Sequence, residues 1–91
     1  MPAVRTEHPH IVKDPQVCGG AAVIAGTRVP VWVLVSYVQQ YSLSAEELAG
    51  MFPHLALAQL HDALSYWHDH REEITAEIAA QAAAVPPQPP H

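Results

Sequence analysis

One cysteine, one phenylalanine, four glycines and only four basic residues are what this chain of 91 residues has least of, and each shortage excludes something. A lone Cys18 rules out an intrachain disulfide. The opening stretch MPAVRTEHPHIV has one arginine and no long apolar run, so it is no targeting segment, and the expected compartment is the reducing cytoplasm. Arg5, Lys13, Arg28 and Arg71 are scattered among nine acidic residues, for a formal charge of −5. That is a poor footprint for phosphate, which calls for clustered Lys and Arg. Seven histidines qualify this, because free imidazole titrates near about pH 6.5 and would make any nucleic-acid affinity pH-dependent. A membrane span needs roughly 20 mainly apolar residues, and Pro30, Gln39, Gln40 and serines interrupt the run from Val29. The length fits one small domain with a thin core, which oligomerisation would help.

What the chain does have is the stretch CGGAAVIAGTRVPVWVLV, residues 18–35. It lacks the Gly-Lys-Ser/Thr ending of a phosphate loop, and the residues between Gly20 and Gly26 read as a strand. Residues 1–10 are polar, hold two prolines and read as a flexible arm. HIVKDPQVCGGAAVIAG reads as a β-hairpin: Ile11 to Lys13 out, a turn from Asp14-Pro15 to Gly19-Gly20, Ala22 to Ala25 back. Pro30 suits a helix start, with Thr27 the nearest candidate cap. The VWVLVSYVQQY that follows has little polar face, which predicts burial on most sides and a subunit contact.

SLSAEELAGMF carries a capping box, Ser44 with Glu47, and ends at Gly50 and Pro53. Leu57, Leu60, Leu64, Trp67, Ile74 and Ile78 recur at helical spacing and predict one long amphipathic helix over 57–80. Residues 81–91 read as an Ala/Pro-rich tail. The expected domain is thus a single unit over 11–80, mainly α, with an N-terminal hairpin before three helices, the last one long. The short helix and the long one have the helix-turn-helix outline, and Met51, Phe52 and Leu55 should plug the core beneath the turn.

No constellation for catalysis stands out. Cys18 has no flanking base, and Glu46, Glu47, Asp62, Asp69, Glu72 and Glu73 fall on expected helix surfaces. His61 and His68 share a helix face but are separated by about 10.5 Å along it, too far to grip one ion. The histidines of residues 54–70 read as a solvated face, and no metal or cofactor is expected. Arg28 sits among apolar neighbours, where a charge needs a partner. It reads as half of an ion pair holding the hairpin on the helices, or as a contact to another molecule.

IVKDPQVCGGAAVIAGTRVPVWVLV followed by LSAEELAGMFPHLALAQLHDALSYWHDHREEI resembles the domain-of-unknown-function family 433, over about residues 11–74. The Gly-Gly, short apolar strand, Gly-Thr-Arg and Val-Pro-Val are the most specific part, with Pro-His-Leu and Tyr-Trp adding to it. The family is regarded as antitoxin-like, similar to VapB-type antitoxins. The resemblance implies a homeodomain-like helical domain, often dimeric, that binds and silences a PIN-like ribonuclease toxin and represses its own operon. Ala21 and Ala22 replace a frequent basic residue and proline, and Ala56 stands where a threonine commonly caps the long helix. The start of that helix offers Gln59 and His61 to base edges but no Lys or Arg to phosphates.

The sequence therefore leads first to a cytoplasmic, homodimeric antitoxin without enzymatic activity. Arg28, Trp32, Val35, Tyr66 and Trp67 are its expected toxin or subunit contacts. The alternatives are a helix-turn-helix DNA-binding regulator reading DNA through Gln59 and His61, and a structural assembly module.

Overall fold

β-Branched residues at Ile11, Val12, Val23 and Ile24 favour paired extended chain, and they set up a small sheet in the computed structural model, which describes residues 4–84. Its strands are β1 (Val4–Arg5), β2 (Ile11–Lys13) and β3 (Ala22–Ile24), antiparallel in the order β1-β2-β3. Ile11 opposes Ile24, and Lys13 opposes Ala22. The connection from β2 to β3 ends in a 3-10 turn at Cys18–Gly20, where Gly19 and Gly20 adopt φ of +66° and +89°. Cys18 shares this left-handed region at φ +52°, and its thiol donates to the Arg28 carbonyl at 3.3 Å.

Residues 4–10 correct the expectation of a flexible arm. Val4 opposes Lys13 and Arg5 opposes Val12, so the hairpin gains a third strand. The Thr6 hydroxyl donates to the Ile11 carbonyl at 2.8 Å, and His8 reaches the helices. The partners of His8 lie more than fifty residues away, which local polarity cannot reveal. Residues 1–3, and the tail from 85 onward, lie outside the described residues.

The helices are α1 (Val31–Tyr41), α2 (Ala45–Met51), α3 (Leu57–Asp69) and α4 (Arg71–Ala84). Pro30 immediately precedes α1, and its carbonyl accepts from Val33 and Leu34. Thr27 does not cap α1: its hydroxyl closes the preceding turn, donating to the Ile24 carbonyl and accepting from the Val29 N–H. The capping box of α2 is complete, with Ser44 Oγ accepting from the Glu47 N–H and Glu47 Oε1 accepting from the Ser44 N–H. At α3 only the return half exists. Gln59 Oε1 accepts from the Ala56 N–H at 2.6 Å, while the alanine side chain accepts nothing.

The expected single helix over 57–80 is two helices. His70 leaves helical geometry at φ −132°, ψ 46°, and its N–H is shared between the Tyr66 and Trp67 carbonyls. No proline or glycine causes the break. The His70 ring stacks on Tyr66 at 4.1 Å and bonds Glu7, contacts that helical periodicity does not encode. Among the described residues the bundle thus has four helices instead of three.

Ile11, Ala22 and Ile24 from the sheet meet Val31, Leu34 and Val35 from α1, Leu48, Leu55, Leu60, Ala63, Tyr66 and Ile74 in one core. Leu55 plugs the core as expected and Phe52 packs against it, but Met51 remains 48% exposed. Among the described residues no helix is long and apolar enough to cross a membrane.

Candidate functional site

Two surface regions carry chemistry. The first is the outward face of α1. Its spacing brings Trp32, Val33, Ser36, Tyr37, Gln40 and Tyr41 along one shallow groove. Tyr37 stacks against Tyr41 with centroids 6.0 Å apart and meets the edge of Phe52 at 5.5 Å, and Phe52 in turn touches His54. Tyr41 is 55% exposed, and Met51 is another exposed large apolar side chain. These rings present flat, rigid area with few rotatable bonds, the composition that protein interfaces favour.

The second region lies where the N-terminal segment crosses the junction of α3 and α4. His8 donates from Nδ1 to Asp62 Oδ1 and from Nε2 to Asp69 Oδ2, both at 2.8 Å. The other Asp62 oxygen accepts from the His10 N–H at 2.8 Å. With both ring nitrogens donating, His8 is an imidazolium between two carboxylates. Burial alone would lower its pKa; the bonds and charges of Asp62 and Asp69 outweigh that and hold it above the ordinary imidazole value. His70 donates from Nε2 to Glu7 Oε2 at 2.6 Å. A backbone hydrogen bond, then that bond to His70, keep the Glu7 carboxyl below its usual range.

Beside them the buried Tyr66 hydroxyl donates to both oxygens of Glu73, which also pairs with Lys13 at 3.0 Å. Burial first, and then the bond to Glu73, push the Tyr66 phenol upward, so it stays a donor. Glu7, His8 and Asp69 each place a ligand atom within 4.8 Å of the others. The sequence carries one trace of this cluster, the dense titratable run His68-Asp69-His70-Arg71-Glu72-Glu73. The contributions of Glu7 and His8 have no local signal.

The expected contact residues separate into two groups. Trp32 borders the α1 groove. Val35 and Tyr66 are 0% and 1% exposed; they are core residues and cannot touch a partner. The α1 helix faces inward with Val31, Leu34 and Val35, which is why Val35 differs from its neighbours. Trp67 packs at the core margin, and the Arg71 guanidinium covers its ring at 4.6 Å. Arg28 is exposed, and among the described residues it has no salt bridge, so the expected hairpin ion pair does not form. It borders an open cleft with Val12, Asp14, Val17 and Thr27. Gln59 is engaged at the start of α3, whereas His61 is exposed.

Residues 11–67 match DUF433, a family described as protein of unknown function. The chain belongs to the DUF433 family. It is similar to a solved DUF433 member protein from Anabaena variabilis ATCC 29413, at 41% identity and a TM-score of 0.69, over 77% of this chain and 68% of that one. No curated protein matches it. The α1 groove and Asp62 fall inside the DUF433 stretch, whereas Glu7, His8, Asp69 and His70 flank it.

Proposed function

We propose that this DUF433 protein is a protein-binding antitoxin that docks a basic, PIN-like ribonuclease toxin on the outer face of α1. The observation that supports it best is the open aromatic groove from Trp32 to Tyr41 on α1. Rigid rings supply buried area, and an overall charge of −5 draws a basic partner in. The toxin as partner is what the family resemblance adds. The reading assigns the chain no catalysis. Co-expression with the product of the adjacent gene tests it: a complex that co-purifies and weakens as salt rises supports the antitoxin. Absence of a small nuclease-like neighbour, or failure to co-purify, removes it. Homodimerisation belongs to the same reading, and light scattering that gives a monomer at all concentrations would remove that part.

Operator binding is the second reading. One observation favours it: α3 follows α2 after a short connection and exposes His61 near its start. Neither α2 nor α3 contains Lys or Arg, so phosphate neutralisation must come from elsewhere. A gel shift with the chain's own promoter at low salt and pH 6 decides it.

A further inference from the structure

We propose that the α1 groove is a polyproline-binding surface, and that its occupant in the free chain is the protein's own PPQPP segment, residues 86–90, folded back from the end of α4. The proposal shares the groove with the antitoxin role but does not rest on it, since it concerns the chain without a partner.

The segment has the chemistry of such a ligand. Four of the nine prolines of the chain are Pro86, Pro87, Pro89 and Pro90, and with Gln88 between them they make two overlapping Pro-x-x-Pro steps. A proline run favours the polyproline II helix, which has three residues per turn and no internal hydrogen bonds. In that helix Pro86 and Pro89 share one edge and Pro87 and Pro90 the next. Such a segment has little ordering entropy to lose on docking, and its carbonyls are free to accept.

The groove has the chemistry of the receiving surface. Polyproline segments dock in aromatic-lined grooves, where ring faces pack flat against the pyrrolidines. Trp32, Tyr37 and Tyr41 line a hollow of about 300 Å³ together with Val33, Ser36 and Gln40. The Tyr37–Tyr41 stack, met from the side by Phe52, gives the hollow a fixed aromatic wall. A proline-rich segment has few N–H groups, so it calls for donors more than for acceptors, and the Gln40 amide and Ser36 hydroxyl can donate. The residues lining the groove are all uncharged, as is PPQPP.

Reach selects this segment as the occupant. Trp32 lines the groove and also borders a second cleft with Glu77, Ala80 and Gln81 of α4. Helix α4 ends at Ala84, three residues or about 4.5 Å beyond Gln81. Trp32 and Tyr37 are about 7.5 Å apart along α1. Residues 85–90 span about 19 Å as polyproline II, enough to turn back over Gln81 and run past Trp32 to Tyr37. Tethering makes weak contacts sufficient, because a segment attached this close acts at an effective concentration on the order of millimolar. Seated there, the segment covers the groove until a partner displaces it.

Nitrogen-15 NMR of the full chain, read at the Trp32 indole N–H, is the test. Pro86→Ser, Pro87→Ser, Pro89→Ser and Pro90→Ser together should shift the Trp32 signal, with the helices intact by circular dichroism. The Trp67 signal, whose ring lies under Arg71, should stay in place. The shift should be the same at low and high protein concentration. Free peptide VPPQPPH added to the serine variant should move Trp32 back toward its parent position, with a dissociation constant on the order of millimolar. Adding Tyr41→Ala to that variant should weaken the peptide by about tenfold. An unmoved Trp32 signal in the serine variant, or a peptide that leaves that signal unchanged, overturns the proposal. A shift that appears only at high protein concentration also overturns it, because the occupant is then the tail of a second copy. A failed toxin pull-down bears on the antitoxin role alone, and an unmoved Trp32 signal bears on the tail alone.

Discussion

His8 and Asp62 are separated by 54 positions in the chain, yet His8 Nδ1 donates to Asp62 Oδ1 across 2.8 Å. That bond joins the N-terminal segment to the middle of α3, and the His10 N–H takes the second Asp62 oxygen. A segment that composition reads as loose is thereby part of the folded unit.

Replacing Asp62 by alanine should therefore loosen residues 4–13 before it loosens the helices. Hydrogen bonds to charged groups are worth about 1.5–3 kcal/mol each, and the ones lost here are partly water-exposed, so a cost of about 2 kcal/mol is expected. Urea denaturation measures the cost. Amide exchange should quicken in β1 and β2 more than in α1. Uniform quickening across all elements would mean that Asp62 supports the bundle as a whole.

The start of α3 should accept a better cap. Ala56 occupies the cap position with extended geometry, and Gln59 already returns its half of the box. Ala56→Ser adds the missing acceptor and should stabilise the protein by about 1 kcal/mol. Ser44→Ala, which removes the Oγ acceptor from Glu47 at α2, should cost a similar amount. Thermal unfolding of both variants checks the pair, and a destabilised Ala56→Ser would sink the capping argument.

These cases also show what local pattern can disclose. The hairpin strands, the Pro30 start of α1 and the Ser44–Glu47 box are short-range features, and the structure has each of them. The His70 break and the ordering of residues 4–10 depend on partners far along the chain, and no periodicity reports them. The same limit separates the expected contacts. An apolar α1 predicts burial, but only the packed fold distinguishes inward Val35 from Trp32, Tyr37 and Tyr41 on the groove. Apolar neighbours likewise say little about Arg28: Val29 packs against the core while Arg28 itself is exposed.

Tyr41 offers the test of the α1 groove with least risk to the fold. Its ring is 55% exposed and, among the described residues, stacks on no aromatic side chain but Tyr37. Tyr41→Glu should change stability by no more than about 0.5 kcal/mol. Under the proposed antitoxin role it should weaken binding of the toxin about tenfold, or about 1.4 kcal/mol. Calorimetric titration of the two purified proteins reads the change. Unaltered affinity would place the toxin elsewhere on the surface.

Glu77 on α4 carries the prediction for pH. Its Oε1 is buried and, among the described residues, has no hydrogen-bond partner. Burial first, and then the charge of Glu73, raise its carboxyl above the ordinary 4.5, while Lys13 pulls the other way. An acid with a raised folded-state pKa holds its proton more tightly when folded. Its contribution is most favourable below about pH 4.5, declines as pH rises through the folded-state value, and is least favourable above it. Glu77→Gln removes the charge and keeps the shape. At pH 7 the variant should be the more stable, by less than about 1 kcal/mol because part of the side chain is screened by water. At pH 4 the difference should shrink, since the parent is then largely protonated there in both states. Urea denaturation of parent and variant at the two pH values measures it. A variant that is less stable at pH 7 would show that the attraction of Lys13 outweighs burial and the repulsion from Glu73.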